Sequence, residues 1–134
     1  MKIVLISTAL ICLALITPSR AQDCDNAESQ HELNECAGAS YKKSDKALNA
    51  AYQNILKRLK NDAETKKLLT QAQRAWISYR DAECTFATAA SADGSIYPML
   101  VASCKDELTQ TRTKDLKTYL SCEEGDMSCP VPSQ

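Results

Sequence analysis

Six cysteines form three close pairs, Cys24/Cys36, Cys84/Cys104 and Cys122/Cys129, and the chain holds one histidine, His31. These are the residues with the most chemistry to offer. An even count at short spacings in a small exported chain reads as a disulfide framework. A metal or redox site is disfavoured, since there is no C-x-x-C and no cysteine at zinc-finger spacing from His31. Six cysteines allow many connectivities. Neighbour pairing is expected, because each partner lies within a hairpin or turn of the other. His31 and Glu35 sit one helical turn apart, an ordinary arrangement on a solvated helix face that is also within reach of a shared proton or metal. No serine or cysteine pairs with a histidine in the manner of a nucleophilic device. The carboxylate pairs Glu123-Glu124, Asp106-Glu107 and Asp23/Asp25 all lie in polar runs. Nothing there supplies the burial that raises a carboxyl pKa into a catalytic range. With three glycines in the chain there is no phosphate-cradling loop. The reading is a protein that is not an enzyme and that takes no metal or cofactor.

The elements that must position these residues begin after a leader. Lys2, the apolar run Ile3 to Ile16 and the small residues of Ser19-Arg20-Ala21 have the three parts of a secretory signal over residues 1–21, with cleavage expected after Ala21. Lipidation at the seventh cysteine, Cys12, is the alternative, but Leu10-Ile11 is a poor approach to such a site and Leu13 to Ile16 would remain as a hydrophobic stub. No later apolar run reaches the length that spans a bilayer. A periplasmic or secreted destination follows. Removing Lys2 and Arg20 takes the basic residues from 16 to 14 against 17 acidic ones, a mature net charge of −3. That balance argues against nucleic acid and suits a basic protein partner. Residues 22–134 are enough for one domain with a disulfide-closed C-terminal tail.

Within it, glycine and proline are scarce up to Pro98 and helical periodicity is the better template throughout. Ser29-Gln30-His31-Glu32 matches a capping box. Leu33, Cys36, Ala37, Tyr41, Leu48, Ala51, Tyr52, Ile55, Leu56 and Leu59 then recur at helical steps. The stripe thins at Ser44-Asp45 and Gly38 weakens it, so a break is conceivable, but one long helix is the expectation. Asn61-Asp62 punctuates. Asp62 caps a second helix whose buried side is expected to carry Leu69, Ala72, Trp76, Tyr79, Cys84 or Glu83, Phe86 and Ala87. Ser91-Ala92-Asp93-Gly94-Ser95 is a turn, and Pro98 suits the first turn of a third helix. That helix places Met99, Ala102, Leu108, Leu116, Tyr119 and Leu120 inside and is expected to end at Gly125, before Pro130-Val131-Pro132. The fold class is all-α, an antiparallel three-helix bundle stapled by disulfides.

The run Gln71-Ala72-Gln73-Arg74-Ala75-Trp76-Ile77-Ser78-Tyr79-Arg80-Asp81-Ala82-Glu83-Cys84 is the most specific stretch of the chain. Joined with Leu48-Asn49-Ala50-Ala51-Tyr52 upstream and with Cys104, Leu108-Thr109 and Arg112 downstream, it closely resembles the LprI-type lysozyme inhibitor domain, a family of small exported helical proteins of bacteria. The resemblance runs from Cys24 to about Leu120. It implies an exported protein that binds a lysozyme, itself usually a basic protein, and blocks its cleft. The alternative is a non-inhibitory envelope module of the same fold. Read from the residues, Trp76 is a core anchor, and Tyr79, Arg80 and Asp81 belong to the same structural motif. Arg80 and Asp81, being adjacent, are not both expected to point inward. A cross-helix salt bridge from Arg80 to Asp106 or Glu107 is expected, with Asp81 left facing solvent.

In such a bundle the start of helix one, the end of helix two and the start of helix three share one pole. It gathers Asp23, Asp25, Glu28, Glu32, Glu35, Glu83, Asp93, Asp106 and Glu107, while the far pole carries Lys57, Arg58, Lys60, Lys66 and Lys67. A partner-binding surface is therefore expected at Asp93, Gly94, Ser95, Tyr97, Glu83 and Glu35, where acidic charge steers a basic partner and hydroxyls can enter a cleft lined by carboxyls.

Overall fold

Two chain-entry devices set the helical frame. Ser29 Oγ accepts from the Glu32 amide at 3.2 Å while the Glu32 carboxylate accepts from the Ser29 amide at 2.9 Å, the reciprocal capping box. Asp62 Oδ1 accepts from the Thr65 amide at 2.9 Å and opens the next helix. The computed structural model describes residues 24–133, so the leader, its cleavage site, Cys12 and Asp23 lie outside the described residues. A short 3₁₀ turn, Cys24–Asn26, leads into α1 (Gln30–Arg58), α2 (Ala63–Ala87) and α3 (Tyr97–Leu120). A second 3₁₀ turn, Ala89–Ser91, begins the loop into α3, and Pro98 stands in that helix's first turn.

Contacts fix the directions. Asn34 of α1 reaches the loop just before α3, while Arg58 at the end of α1 meets Leu120 at the end of α3. The first and third helices thus run parallel, with α2 antiparallel to both, in a three-helix bundle. α1 and α3 lie against each other along most of their length, whereas α2 is more lightly attached.

The apolar core is concentrated toward the end where α1 turns into α2. Leu48, Ala51, Ile55, Leu59, Leu116 and Val131 are buried there, with Tyr52, Leu69, Trp76, Tyr119, Leu120 and Cys129 packed around them. α1 is unbroken, and Ser44, where the stripe thins, is buried and returns its hydroxyl to the Tyr41 carbonyl at 3.0 Å. Val131 brings the tail back onto the core, a return the prolines permit because they end helical structure without preventing an extended strap. α3 stops at Leu120 and not at Gly125, whose φ of 89° instead serves a turn inside the tail.

The face of α2 differs from expectation. Ala72, Tyr79, Phe86 and Ala87 are exposed, with Tyr79 at 55% and Phe86 at 78%. The inward row is Leu69, Gln73, Trp76, Arg80 and Cys84, of which Gln73, Arg80 and Cys84 are buried. Polar residues also line α3: Thr109 and Thr113 are buried, and Thr113 donates to the Thr109 carbonyl at 2.7 Å. The Thr109 hydroxyl, fully buried, meets no hydrogen-bonding partner among the described residues. Thr109→Val keeps the shape and removes that group, so it is expected to stabilise the fold by about 1 kcal/mol in denaturant unfolding. A loss of stability would show that the hydroxyl is satisfied.

All three cysteine pairs are bridged as the spacing suggests. Cys24–Cys36 ties the N-terminal segment to α1, Cys84–Cys104 joins α2 to α3, and Cys122–Cys129 closes the tail, with Cα separations of 5.7, 5.7 and 6.0 Å. Two of the three bridges stand in the half of the bundle that the apolar core does not fill. Each bridge stabilises chiefly by restricting the unfolded chain, more so for the longer loop closed by Cys84–Cys104.

Candidate functional site

The loop between α2 and α3 is held by its own backbone and by α1. The Gly94 amide donates to the Ser91 carbonyl at 2.9 Å and the Tyr97 amide to the Gly94 carbonyl at 3.0 Å. Asn34 Nδ2 donates to the Ser95 carbonyl at 3.0 Å, so the loop is pinned to the first turns of α1. The Cys84–Cys104 bridge closes its base. On this braced loop Asp93, Gly94 and Ser95 are exposed, and Tyr97 is half-buried at the start of α3. Glu35 lies on α1 one residue from Asn34 and pairs with His31 at 3.5 Å, on a face where the histidine side chain is 81% exposed. Glu83 is half-buried beside Cys84 on α2. The fold thus gathers the loop, Glu35 and Glu83 at one end of the bundle, together with exposed Asp25, Glu28 and Glu32.

Asp106 and Glu107 follow Cys104 on α3, close to the level of Glu83 across the Cys84–Cys104 bridge, and Ser40 of α1 donates to Asp106 Oδ2 at 2.7 Å. Burial pushes the Asp106 carboxyl up, but the polar side chains of Ser44, Ser40 and Gln110 around it, with the bond from Ser40, outweigh this and hold the group below the usual carboxylate range.

The expected salt bridge also finds other partners. Arg80 is buried, and its guanidinium donates to Asp81 through Nε at 3.0 Å and Nη2 at 2.9 Å, and stands 3.7 Å from Asp45 of α1. Its carbon centre lies 5.4 Å over the Tyr41 ring and 5.2 Å over the Trp76 ring. Neither Asp106 nor Glu107 is its partner. Asp81 does face solvent, its side chain 46% exposed, and Lys105 of α3 also reaches it at 3.2 Å. Burial raises the Asp81 carboxyl, yet the bonds and charges of Arg80 and Lys105 prevail and keep it low. Adjacent residues meet here because the long arginine stem turns back along the helix, which helical spacing alone does not show. This cluster joins all three helices just beneath the acidic end.

Glu32, Asp62 and Asp126 are lowered as well, by bonds from Ser29, Thr65 and Ser128. A carboxyl lowered in the folded state binds fewer protons there than in the unfolded chain, so its stabilisation is present above the unfolded pKa and lost as pH falls through the folded one. Stability is therefore expected to be flat from neutrality to about pH 5 and to drop below about pH 4. A denaturation midpoint that rises on acidification contradicts this.

At the opposite end, Arg58 Nη1 donates to the Leu120 carbonyl at 2.7 Å, a cation on the last turn of α3. It joins Asn54, Lys57, Lys60, Leu120, Pro132 and Ser133 around a cleft of about 540 Å³. The sequence did not point to this cleft, because only the folded-back tail completes it. Among the described residues no three metal-ligating side chains cluster, and no helix is long and apolar enough to cross a membrane.

These features define a class: a small helical bundle, disulfide-braced in a manner that fits an extracytoplasmic setting. The family model described as lysozyme inhibitor LprI matches residues 21–116, and the chain belongs to that family, one of inhibitors and not of enzymes. An uncharacterized protein of Rhizobium meliloti (strain 1021) is 37% identical, over 90% of this chain and 95% of its own length. No solved structure matches.

Proposed function

We propose that the mature chain is an exported protein that binds a lysozyme and obstructs its cleft, protecting the bacterial wall. The observation that carries the reading is the braced loop around Asp93-Gly94-Ser95 at the acidic end, on a chain of the lysozyme inhibitor LprI family. A loop already fixed by Asn34 and a disulfide loses little entropy on docking. Acidic charge at Glu35, Glu83 and Asp93 draws in a basic enzyme and raises the association rate. Ser91, Ser95 and Tyr97 supply hydroxyls suited to a cleft flanked by two carboxyls.

The test is lysis of bacterial cell walls by several lysozyme types with and without the purified chain, alongside association kinetics at two salt concentrations. Inhibition is expected at micromolar protein. Reversing Asp93, Glu83 and Glu35 to lysine together is expected to slow association by about tenfold or more and to flatten its salt dependence, with the fold retained. Unchanged lysis for every lysozyme type ends the inhibitor reading and leaves a non-inhibitory envelope module. Loss of binding on Lys57→Glu or Lys66→Glu, with the triple reversal binding normally, moves the contact to the basic end.

A further inference from the structure

α2 turns an apolar row outward along most of its length. Leu68, Ala72, Ala75, Tyr79, Ala82 and Phe86 are all exposed, with Leu68 at 59%, Tyr79 at 55% and Phe86 at 78%. Their spacing alternates four and three residues, the seam of a coiled-coil helix. Such a contiguous strip on a small exported protein marks an interaction surface.

We propose that this seam pairs with the same seam of a second copy of the chain, the two α2 helices antiparallel and the two-fold axis level with residue 77 along the helix. About that centre, residues equally distant before and after 77 face each other. Ala75 meets Tyr79, Ala72 meets Ala82, and Leu68 meets Phe86. In the two central layers Tyr79 fills the space left by Ala75, the Ala72–Ala82 layers let the backbones approach closely, and Leu68 with Phe86 closes each end. The flanking row, Gln71, Ser78 and Thr85, carries no charge, so nothing repels across the axis. Just beyond it, Arg74 of one copy comes level, to within one residue, with Asp81 of the other.

The orientation follows from charge. Antiparallel pairing lays the start of α2, with Lys66 and Lys67, beside the partner's acidic end with Glu83 and Asp93. A parallel pairing stacks Glu83 on Glu83 and Arg74 on Arg74, and sets the acidic ends side by side. An isologous contact of this kind closes on itself as a dimer. The stretch from Leu68 to Phe86 is roughly 28 Å long. A helix pair of that length buries on the order of 1,000 Å² in total, the low end of specific interfaces, so the dimer is reversible.

Sedimentation equilibrium of the purified chain, from about 1 to 200 µM, is expected to pass from monomer to dimer mass. Ala75→Glu, at an exposed position, is expected to raise the dissociation constant at least about tenfold while circular dichroism stays unchanged. On mild oxidation Ser78→Cys is expected to cross-link two copies, because its own counterpart lies across the axis. Thr85→Cys is expected not to cross-link, its counterpart being about 24 Å away along the helix. A monomer at every concentration, a dimer indifferent to Ala75→Glu, or cross-linking at Thr85→Cys as fast as at Ser78→Cys each overturns the proposal.

Discussion

Replacing Arg80 with alanine is expected to lower stability by about 2–4 kcal/mol, the largest effect of any single side chain outside the apolar core. Its side chain is 8% exposed, so its charge has been withdrawn from water and is repaid only by Asp81, Asp45 and the faces of Tyr41 and Trp76. The two carboxylates are 41% and 46% exposed, and solvent screens their share. Most of the loss therefore comes from the space left between two rings of different helices, and less from the ion pairs. Lys105 still attends Asp81 at 3.2 Å, which limits the penalty of leaving that carboxylate behind. Arg80→Lys is expected to recover only part of the loss, since an ammonium offers neither the planar fork nor the stacking face. Denaturant midpoints of the two variants decide it. If Arg80→Ala shifts stability by less than about 0.5 kcal/mol, the cluster is no more than a surface ion pair.

The helices were legible because their ends are written in local chemistry. Ser29 with Glu32, Asp62, and the Asp93-Gly94 turn each act within a few residues of their own position. The cysteine pairing was legible for the same reason. On α2, Leu69, Trp76 and Cys84 turn inward as expected, and what was not legible is the rest of the inward face. Two rows compete on that helix, and the more apolar one, through Ala72, Tyr79 and Phe86, looks like the core by composition. The structure buries the other, through Gln73, Arg80 and Cys84, because a disulfide to Cys104 and Arg112's bond to Gln73 at 3.2 Å fix the rotation of the helix. Those partners are far away in sequence, and periodicity records only neighbours. Asp45 as a partner of Arg80 and Val131 as a core residue were hidden by the same distance. The exposed loop of the candidate site, in contrast, needed only turn chemistry to be seen.

Removing the Cys84–Cys104 bridge by paired alanine substitution is expected to cost about 3 kcal/mol, the chain-entropy value for a loop of this size. The separation in sequence is 20 residues, and the bridge joins α2 to α3 at the end away from the apolar cluster. Near the bridge, α2 is held to the rest mainly by the Arg80 cluster, while α1 and α3 stay paired along their length. The loss should therefore be local before it is global. Hydrogen exchange is expected to speed up most over the second half of α2 and the loop through Asp93-Gly94-Ser95, with amides around Leu48, Ile55 and Leu116 still protected. Alanine suits the test, since both sites lie within helices and neither change adds a polar group. If lysozyme binding rests on a stiff loop, the same variant should bind more weakly at a temperature where it remains folded, mainly through faster dissociation. A uniform rise in exchange across all three helices would show that the bridge acts on the unfolded chain alone, and that packing holds the acidic end without it.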